Sequence, residues 1–442
     1  MRRMYGNVIA FFLSLIFFLS CSKENYVNVR GQILHGDGLV SIWVGDSIFE
    51  FRLDESGFFS GKIPVDKETY ASIMPYSINL YLYPGRLLEI RMNTQNIPGT
   101  LNFSGGLGAV NNYLKEQEIV DFFDKNYYSL EESVFIDKMY QIIDEKINLL
   151  KAKNFEKSFT DLEIQRIGYS VAEKALLYPL VKKEDGKNTE IINNFIKNFS
   201  INRKDLFGSV EYRRFLLNYV KLYGFRKEST LNPTDDIADF IVSSIDNPQI
   251  RDFLLTAVIW QHITTHSGIR GAGHVLDVFF RLSNDSAKIV MVSDWVKRWS
   301  TLLPGKPAPD FEVSDMKGKR LKLSDFRGHY LYIMVWASWC LPCKKELPYM
   351  ASISDEYGGR NIRFMTISID ARNNLEAWRN FMKGRCPNAI HTVADEYGRF
   401  GEDYQIFSIP RFILINPVGE IVNSNALRPS VGLREFLEEL DM

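Results

Sequence analysis

The chain has 442 residues, which at roughly 100 to 200 residues per domain allows about two to four domains. Hydrophobic residues make up 45% of the sequence and charged residues 24%, a globular composition that excludes an intrinsically disordered chain and a collagen-like fibre. The 53 lysine and arginine residues nearly balance 54 acidic residues, so no excess positive charge favours nucleic acid as a partner.

The N-terminus has the pattern of an export signal. Arg2 and Arg3 precede an apolar run at residues 8–20, which as a helix would span about 20 Å, less than the roughly 30 Å hydrocarbon core of a bilayer. We therefore predict a signal peptide over residues 1–20. Its ending, a small residue followed by Cys21, resembles a bacterial lipobox. The resemblance implies that Cys21 is acylated and begins a tether over residues 21–26.

Lipid attachment at Cys21 would hold the mature chain in the periplasm or cell envelope, anchored to a membrane. The alternative is an ordinary signal peptide that contains an incidental cysteine. In both cases the rest of the chain is expected outside the cytoplasm, since it contains no later apolar stretch of 18 residues.

Residues 27–105 contain short strand-like runs separated by turn residues. Alternating or β-branched runs occur at residues 27–33, 38–44, 48–53, 78–83 and 87–92. Glycine and proline between them, as at Gly57 and Pro84-Gly85, provide the backbone angles that tight turns require. This pattern predicts a small antiparallel β-sandwich. Its sequence offers no candidate catalytic residue.

Residues 106–299 change to helical periodicity. The apolar positions of one segment follow i, i+3, i+4 spacing, as in Ile136, Met139, Tyr140, Ile143, Ile147 and Leu150. We predict an all-helical middle domain. His262, His266 and His274 lie close together in sequence, but no acidic residue accompanies them, so we interpret them as packing or surface residues and predict no metal site.

Residues 300–442 begin with a proline-rich linker and then alternate strands with helices. Strands are predicted at residues 330–337 and 362–369, helices at 341–357, 374–383 and 433–440, and a hairpin at 411–415 and 420–423. This order predicts an α/β domain with a mixed sheet and helices on both faces.

The segment Trp339-Cys340-Leu341-Pro342-Cys343 lies where a predicted strand gives way to a predicted helix. A helix N-terminus carries partial positive charge and unpaired N–H groups, which favour the thiolate form of Cys340. Cys340 is therefore the expected nucleophile. Cys343, one helical turn later, is close enough to form a disulfide with it, so the pair could cycle between dithiol and disulfide.

Residues 304–442 resemble the TlpA/ResA branch of the thioredoxin superfamily, in its bacterial lipoprotein form with an N-terminal β domain. The matching segments are Pro307-Ala308-Pro309-Asp310-Phe311, Leu323-Ser324-Asp325-Phe326-Arg327-Gly328, Trp336-Ala337-Ser338-Trp339-Cys340-Leu341-Pro342-Cys343, Glu346, Pro348 and Tyr404 with Ile409-Pro410. The resemblance implies a thioredoxin-like fold and a thiol-disulfide oxidoreductase that needs no cofactor. Reduction of protein disulfides is the direction it favours.

The resemblance also assigns roles to single residues. Pro410 would be a cis proline facing the dithiol, and the Ile409 backbone would pair with a substrate chain, with Trp339 completing the substrate-binding surface. Glu346 would handle protons for Cys343, because Met334 occupies the position where thioredoxin itself has a buried acid. The implied partners are protein disulfides, with apocytochrome c as one candidate, and a membrane or periplasmic thiol that donates electrons.

Arg411 departs from the small residue common after this proline. Facing the groove, its cation could favour a thiolate or an acidic substrate segment, whereas facing outward it would have no effect.

Other interpretations of these residues are weaker. Cys340, Cys343, Cys386 and His391 form a nominal zinc ligand set, but Pro342 and the strand-to-helix position are typical of redox chemistry. A peroxidase of the peroxiredoxin type would need Thr or Ser at Ala337 and Pro at Ile333. A binding or adaptor lipoprotein that uses the thioredoxin-like domain as a scaffold is the alternative function, although a scaffold has no need of two thiols at a helix start.

Overall fold

The computed structural model describes residues 25–45, 47–119, 123–182, 190–225, 232–265, 268–370, 375–394 and 397–440. The chain divides into two compact units, Met1–Phe215 and Leu216–Met442. The predicted signal peptide, Cys21 and His266 lie outside the described residues. The domain boundaries expected at residues 105/106 and 299/300 stay predictions.

The first unit contains two four-stranded sheets, with strand orders β4-β1-β7-β8 and β3-β2-β5-β6. The strands are β1 Tyr26–Leu34, β2 Leu39–Val44, β3 Ser47–Arg52, β4 Phe58–Pro64, β5 Thr69–Met74, β6 Ile78–Leu82, β7 Leu87–Asn93 and β8 Asn102–Ser104. Buried residues from both sheets, such as Val29 and Ile42, belong to one hydrophobic cluster. The predicted β region is therefore present.

The antiparallel expectation was wrong for one pair, because β1 and β7 run parallel. The other described pairings of these sheets are antiparallel. Strands β2 to β6 separate β1 from β7 along the chain, so the connection is a long crossover rather than a hairpin. A crossover of this kind permits parallel pairing, whereas a tight turn does not.

Helices complete the first unit. They are α1 Ile97–Thr100, α2 Gly108–Ile119, α3 Glu132–Ala152, α4 Lys157–Lys182 and α5 Glu190–Ile196, and the boundary between the units falls within α6 Val210–Gly224. On α4, Glu163 and Arg166 form a buried ion pair, and the Tyr70 hydroxyl donates a hydrogen bond of 2.7 Å to Glu163. Of the apolar stripe predicted in α3, Ile136, Met139 and Leu150 are buried, whereas Tyr140 is 47% exposed because it lies outside the buried face of the helix.

After α6, the second unit has four helices, α7 to α10, and then an α/β domain that contains α11 to α14. The helices are α7 Pro233–Ser244, α8 Pro248–Thr265, α9 Gly273–Leu282, α10 Ser286–Ser300, α11 Leu341–Glu356, α12 Leu375–Met382, α13 Tyr397–Asp403 and α14 Leu433–Glu438. The strands are β9 Glu312–Asp315, β10 Arg320–Lys322, β11 Tyr330–Trp336, β12 Ile362–Ser368, β13 Ile390–Ala394, β14 Arg411–Ile415 and β15 Ile421–Asn423. None of the helices in the described residues combines the length and hydrophobicity needed to cross a bilayer.

The strands of the second unit form a mixed sheet of seven, in the order β10-β9-β13-β12-β11-β14-β15. Strands β11, β12 and β13 are parallel, whereas β14 pairs antiparallel with β11. All but the first residue of β11 are buried, as expected for a central strand covered on both faces. The predicted α/β domain with a mixed sheet is confirmed, and the carboxyl end of β11 carries the dithiol segment.

Candidate active site

The two cysteines of the predicted dithiol are joined at the start of α11. Cys340 is the N-cap of this helix, and Cys343 lies in its first turn. The structure contains a Cys340–Cys343 disulfide, with the two Cα atoms 5.3 Å apart. The Cys343 backbone N–H donates a hydrogen bond of 3.2 Å to the Cys340 sulfur. This N–H lies in the first turn of the helix, where backbone N–H groups have no partner within the helix itself. It can therefore also stabilise a thiolate at Cys340.

The two cysteines differ slightly in exposure. Cys340 retains 5% of its surface, whereas Cys343 is fully buried. The flanking Trp339 is 67% exposed and Leu341 is 65% exposed. An incoming disulfide therefore meets an exposed apolar surface beside Cys340, and Cys343 can be reached only from Cys340.

A buried carboxylate holds the segment between β11 and Cys340. Asp370, just after β12, accepts hydrogen bonds from the Ser338 N–H at 2.8 Å and the Ser338 hydroxyl at 2.6 Å. The Ser368 hydroxyl donates a third bond of 2.6 Å. The Cys340 N–H closes the same turn by donating to the Ala337 carbonyl at 3.0 Å. The backbone leading to the nucleophile is thus fixed on both sides.

Sequence reasoning did not identify Asp370 or Ser338. The available signal was an acidic residue directly after a buried strand, at the sheet edge where open α/β folds place their functional groups.

Glu346 lies on α11, one turn beyond Cys343, and is buried. Its carboxylate accepts hydrogen bonds from the Ser430 N–H at 3.1 Å and the Ser430 hydroxyl at 2.9 Å, and Arg428 lies 3.9 Å away. Burial, together with the charge of Glu346, raises the pKa of Tyr332 well above its usual value of 10.0. Glu346 is therefore an acid held within the domain core, one turn from Cys343 along the helix.

The Ile409–Pro410 peptide bond is cis, as expected. Its position relative to the dithiol follows from strand register. Arg411 pairs with Val335 of β11, so the chain just before it lies beside the carboxyl end of β11, where the segment to Cys340 begins. Ile409 and Pro410 are both partly exposed. Sheet register thus brings the expected substrate-binding residues to the same edge as the dithiol.

Arg411 does not point into solvent, because it is only 4% exposed. Its Nε atom donates a hydrogen bond of 2.8 Å to the Ser424 carbonyl, and its guanidinium carbon lies 5.3 Å from the centre of the Trp299 ring. Burial lowers the pKa of Arg411 to about 10. The outward orientation considered from the sequence is excluded.

The residues of the nominal zinc set have other partners. The Cys386 thiol donates a hydrogen bond of 3.0 Å to the Leu347 carbonyl, and burial raises its pKa to about 11. His391 contacts the Thr366 hydroxyl at 3.0 Å, and its other ring nitrogen faces backbone carbonyls. Within the described residues, no group of three or more His, Cys, Asp and Glu side chains is arranged to hold a metal ion.

Comparison with known proteins places these features in a family. The AhpC/TSA family profile matches residues 304–424. Thiol-disulfide oxidoreductase ResA of Bacillus thuringiensis is 31% identical over 140 residues, covering 31% of this chain and 78% of the relative. ResA of Bacillus subtilis is 34% identical over 118 residues, covering 27% of this chain and 64% of the relative.

A solved structure, the thioredoxin domain of a thiol-disulfide oxidoreductase from Bacteroides vulgatus, is 27% identical, with a TM-score of 0.28. The match covers 31% of this chain and 97% of that chain. The Bacillus thuringiensis relative is covered over most of its length, and the region matched by the family profile contains the disulfide at the start of α11. The chain therefore belongs to the family of ResA thiol-disulfide oxidoreductases and is an oxidoreductase with a thioredoxin-like C-terminal domain.

Proposed function

We propose that this protein works outside the cytoplasm and reduces protein disulfides through Cys340 and Cys343. The observation that carries the proposal is the Cys340–Cys343 disulfide at the N-terminus of α11, with only Cys340 partly accessible. A pair placed in this way can accept a disulfide from a substrate and return to the dithiol form when a thiol donor reduces it.

The exchange takes two steps. The Cys340 thiolate attacks one sulfur of the substrate disulfide, forming a mixed disulfide and releasing the first substrate thiolate. The Cys343 thiolate then attacks the Cys340 sulfur, which releases the second substrate thiolate and forms the Cys340–Cys343 disulfide. The substrate gains two electrons and the enzyme loses two. Two protons complete the substrate thiols.

Glu346 is proposed to accept the Cys343 proton before the second step. Its burial and its hydrogen bonds from Ser430 hold the carboxylate in one orientation on the same helix as Cys343. Trp339, Ile409 and Pro410 are proposed to bind the substrate chain, since Trp339 is exposed directly before Cys340 and strand register brings the partly exposed Ile409 and Pro410 to the same edge of the sheet. No cofactor is required, because the sulfur atoms carry the electrons.

The location rests on the sequence of residues 1–26. We infer a signal peptide and acylation of Cys21, which would tether the protein to a membrane facing the periplasm or cell envelope. Apocytochrome c is one candidate among protein disulfide substrates, and a membrane or periplasmic thiol would supply electrons. The single core cluster supports the further inference that the two N-terminal sheets pack as a sandwich.

Cysteine substitutions test the proposal. Cys343→Ala should accumulate mixed disulfides between Cys340 and substrate proteins, visible as thiol-sensitive bands on non-reducing gels, because the second step is blocked. Cys340→Ala should be inactive in a disulfide-reduction assay. Cys386→Ala is the matched control, since that thiol is buried and bonded to the Leu347 carbonyl, and it should behave like the unaltered protein. Turnover by Cys340→Ala would refute the proposed mechanism.

A further inference from the structure

Aromatic side chains of α8 and α10 contact the segment just before the cis proline. We call residues 405–410 the cis-proline loop. The Phe407 ring of this loop lies 4.8 Å from the Trp260 ring, edge to face, and 6.5 Å from the Trp299 ring. Trp260 in turn lies 4.7 Å from Trp295. Aromatic pairs at these separations are attractive beyond the area that they bury, so Phe407 has a preferred position on this surface.

The segment just after the cis proline contacts the same helices. The Arg411 guanidinium lies over the Trp299 ring at a distance typical of a cation–π interaction, and its Nε atom is bonded to the Ser424 carbonyl. Burial lowers the pKa of Arg411, and within the described residues its Nη2 atom is buried without a hydrogen-bond partner. The ring of Trp299 is therefore the main compensation for burying this cation.

Trp299 cannot easily move away from these contacts. The residue is 1% exposed, and Gly268, which lies between α8 and α9 in the chain, packs against its ring. A Cβ atom added to Gly268 would lie 2.4 Å from Cε3 of Trp299, closer than real Cβ contacts allow. The backbone of Gly268 also has φ +92°, a conformation that favours glycine. The Trp299 ring is thus a fixed surface against which Arg411 and Phe407 pack.

We propose that Trp260 and Trp299 are positioning residues that hold the cis-proline loop in the shape that binds a protein substrate. Both tryptophan rings contact Phe407, which precedes the Ile409–Pro410 bond in the chain. The Trp299 ring also contacts Arg411, which follows this bond. A loop that is already ordered before the substrate binds loses less conformational entropy on binding, so the substrate binds more tightly. The inference rests on the proposed function, and it gives the helices α8 and α10 a part in substrate binding.

The test compares a protein disulfide with a small one. Insulin must pair with the loop, whereas the small aromatic disulfide dithiobis(nitrobenzoic acid) needs only the Cys340 sulfur. We expect Trp299→Leu in the full chain to raise KM for insulin roughly tenfold, equivalent to about 1.4 kcal/mol, with unchanged kcat/KM for the small disulfide. Trp299→Phe keeps a ring against both partners and should restore the KM for insulin.

Phe279→Leu is the matched control, because Phe279 is a fully buried aromatic residue of α9 whose recorded ring contact is with Phe280. An equal rise in KM for Phe279→Leu and Trp299→Leu would overturn the proposal. So would an equal loss of activity on both disulfides. If Trp299→Leu fails to fold by circular dichroism, Trp260→Leu replaces it, and an unchanged KM for insulin would again overturn the proposal. A wild-type protein inactive on both disulfides would instead refute the proposed function.

Discussion

The Asp370 carboxylate offers a direct test of how the dithiol segment is held. Asp370→Ala removes the acceptor for the Ser338 N–H, the Ser338 hydroxyl and the Ser368 hydroxyl, at 2.8, 2.6 and 2.6 Å. A hydrogen bond to a charged group contributes about 1.5 to 3 kcal/mol. Loss of the bond to the Ser338 amide should therefore ease local opening by about 1.5 to 3 kcal/mol, which corresponds to roughly 10- to 150-fold faster amide exchange.

Hydrogen–deuterium exchange with mass spectrometry on the oxidised protein measures this opening in a peptide that covers residues 336–343. Asp370→Asn keeps the shape and one acceptor, so its exchange rate should fall between those of Asp370→Ala and the unaltered protein. Asp315→Ala is the matched control. The Asp315 carboxylate accepts 2.8 Å bonds from the Lys317 and Lys319 amides in a turn of the same domain. This control should accelerate exchange in its own turn alone.

The outcome that would contradict this reasoning is specific. If Asp370→Ala leaves exchange at residues 337–340 unchanged while Asp315→Ala accelerates its own turn, the Asp370 carboxylate does not hold the segment. If exchange rises but the reduced protein reacts with insulin at its normal rate, the segment is held without any effect on the nucleophile. We expect both exchange and reaction rate to change, because Ser338 lies two residues from Cys340.

Three further predictions concern the active site, the anchor and pH. Glu346→Gln should slow resolution of the mixed disulfide roughly 100-fold in single-turnover kinetics, since the amide cannot accept the proton, and Ser430→Ala should slow it less; equal rates would exclude the acid-base role. Cys21→Ser should move the protein from the membrane fraction to the soluble fraction, and unchanged fractionation would contradict lipid attachment. Burial lowers the pKa of His391 below its usual value of about 6.5. Between these two pKa values the unfolded state binds more protons than the folded state does. The thermal unfolding temperature of the oxidised protein should therefore fall as the pH drops below about 6.5. His391→Gln should weaken this dependence, and an equally steep dependence would contradict the assignment.

The elements that sequence reasoning identified are those whose pattern is visible within one segment. β11 is a run of apolar residues, and α11 begins at Leu341, with Cys340 as its N-cap and a proline in its first turn. Both are predicted to within a residue, because burial on both faces and helix capping leave a local signature. The dithiol followed from the same two elements, since it occupies the junction between them.

The elements that were missed depend on their neighbours. Strand β10 has the sequence Arg-Leu-Lys, and a single apolar residue does not indicate a strand until β9 pairs with it. The hydrogen-bonded pairs of the active site also depend on residues that are far apart in sequence. Ser338 and Asp370 are 32 residues apart in sequence, and Glu346 and Ser430 are 84 apart. The two members of each pair meet only in the folded domain, so no local sequence pattern predicts either pairing.

The position of Trp299 bears on where the catalytic domain begins. The boundary expected at residues 299/300 separates this ring from Arg411, which is 4% exposed and packs against it. A fragment that starts at residue 300 would leave the guanidinium without its ring and Phe407 without both tryptophan contacts. A buried cation that loses a compensating contact tends to move towards solvent, and such a movement of Arg411 would occur directly next to Pro410 in sequence. A fragment that keeps α8 and α10, as Leu216–Met442 does, therefore retains the tryptophan contacts of Phe407 and Arg411 beside the proposed substrate-binding residues.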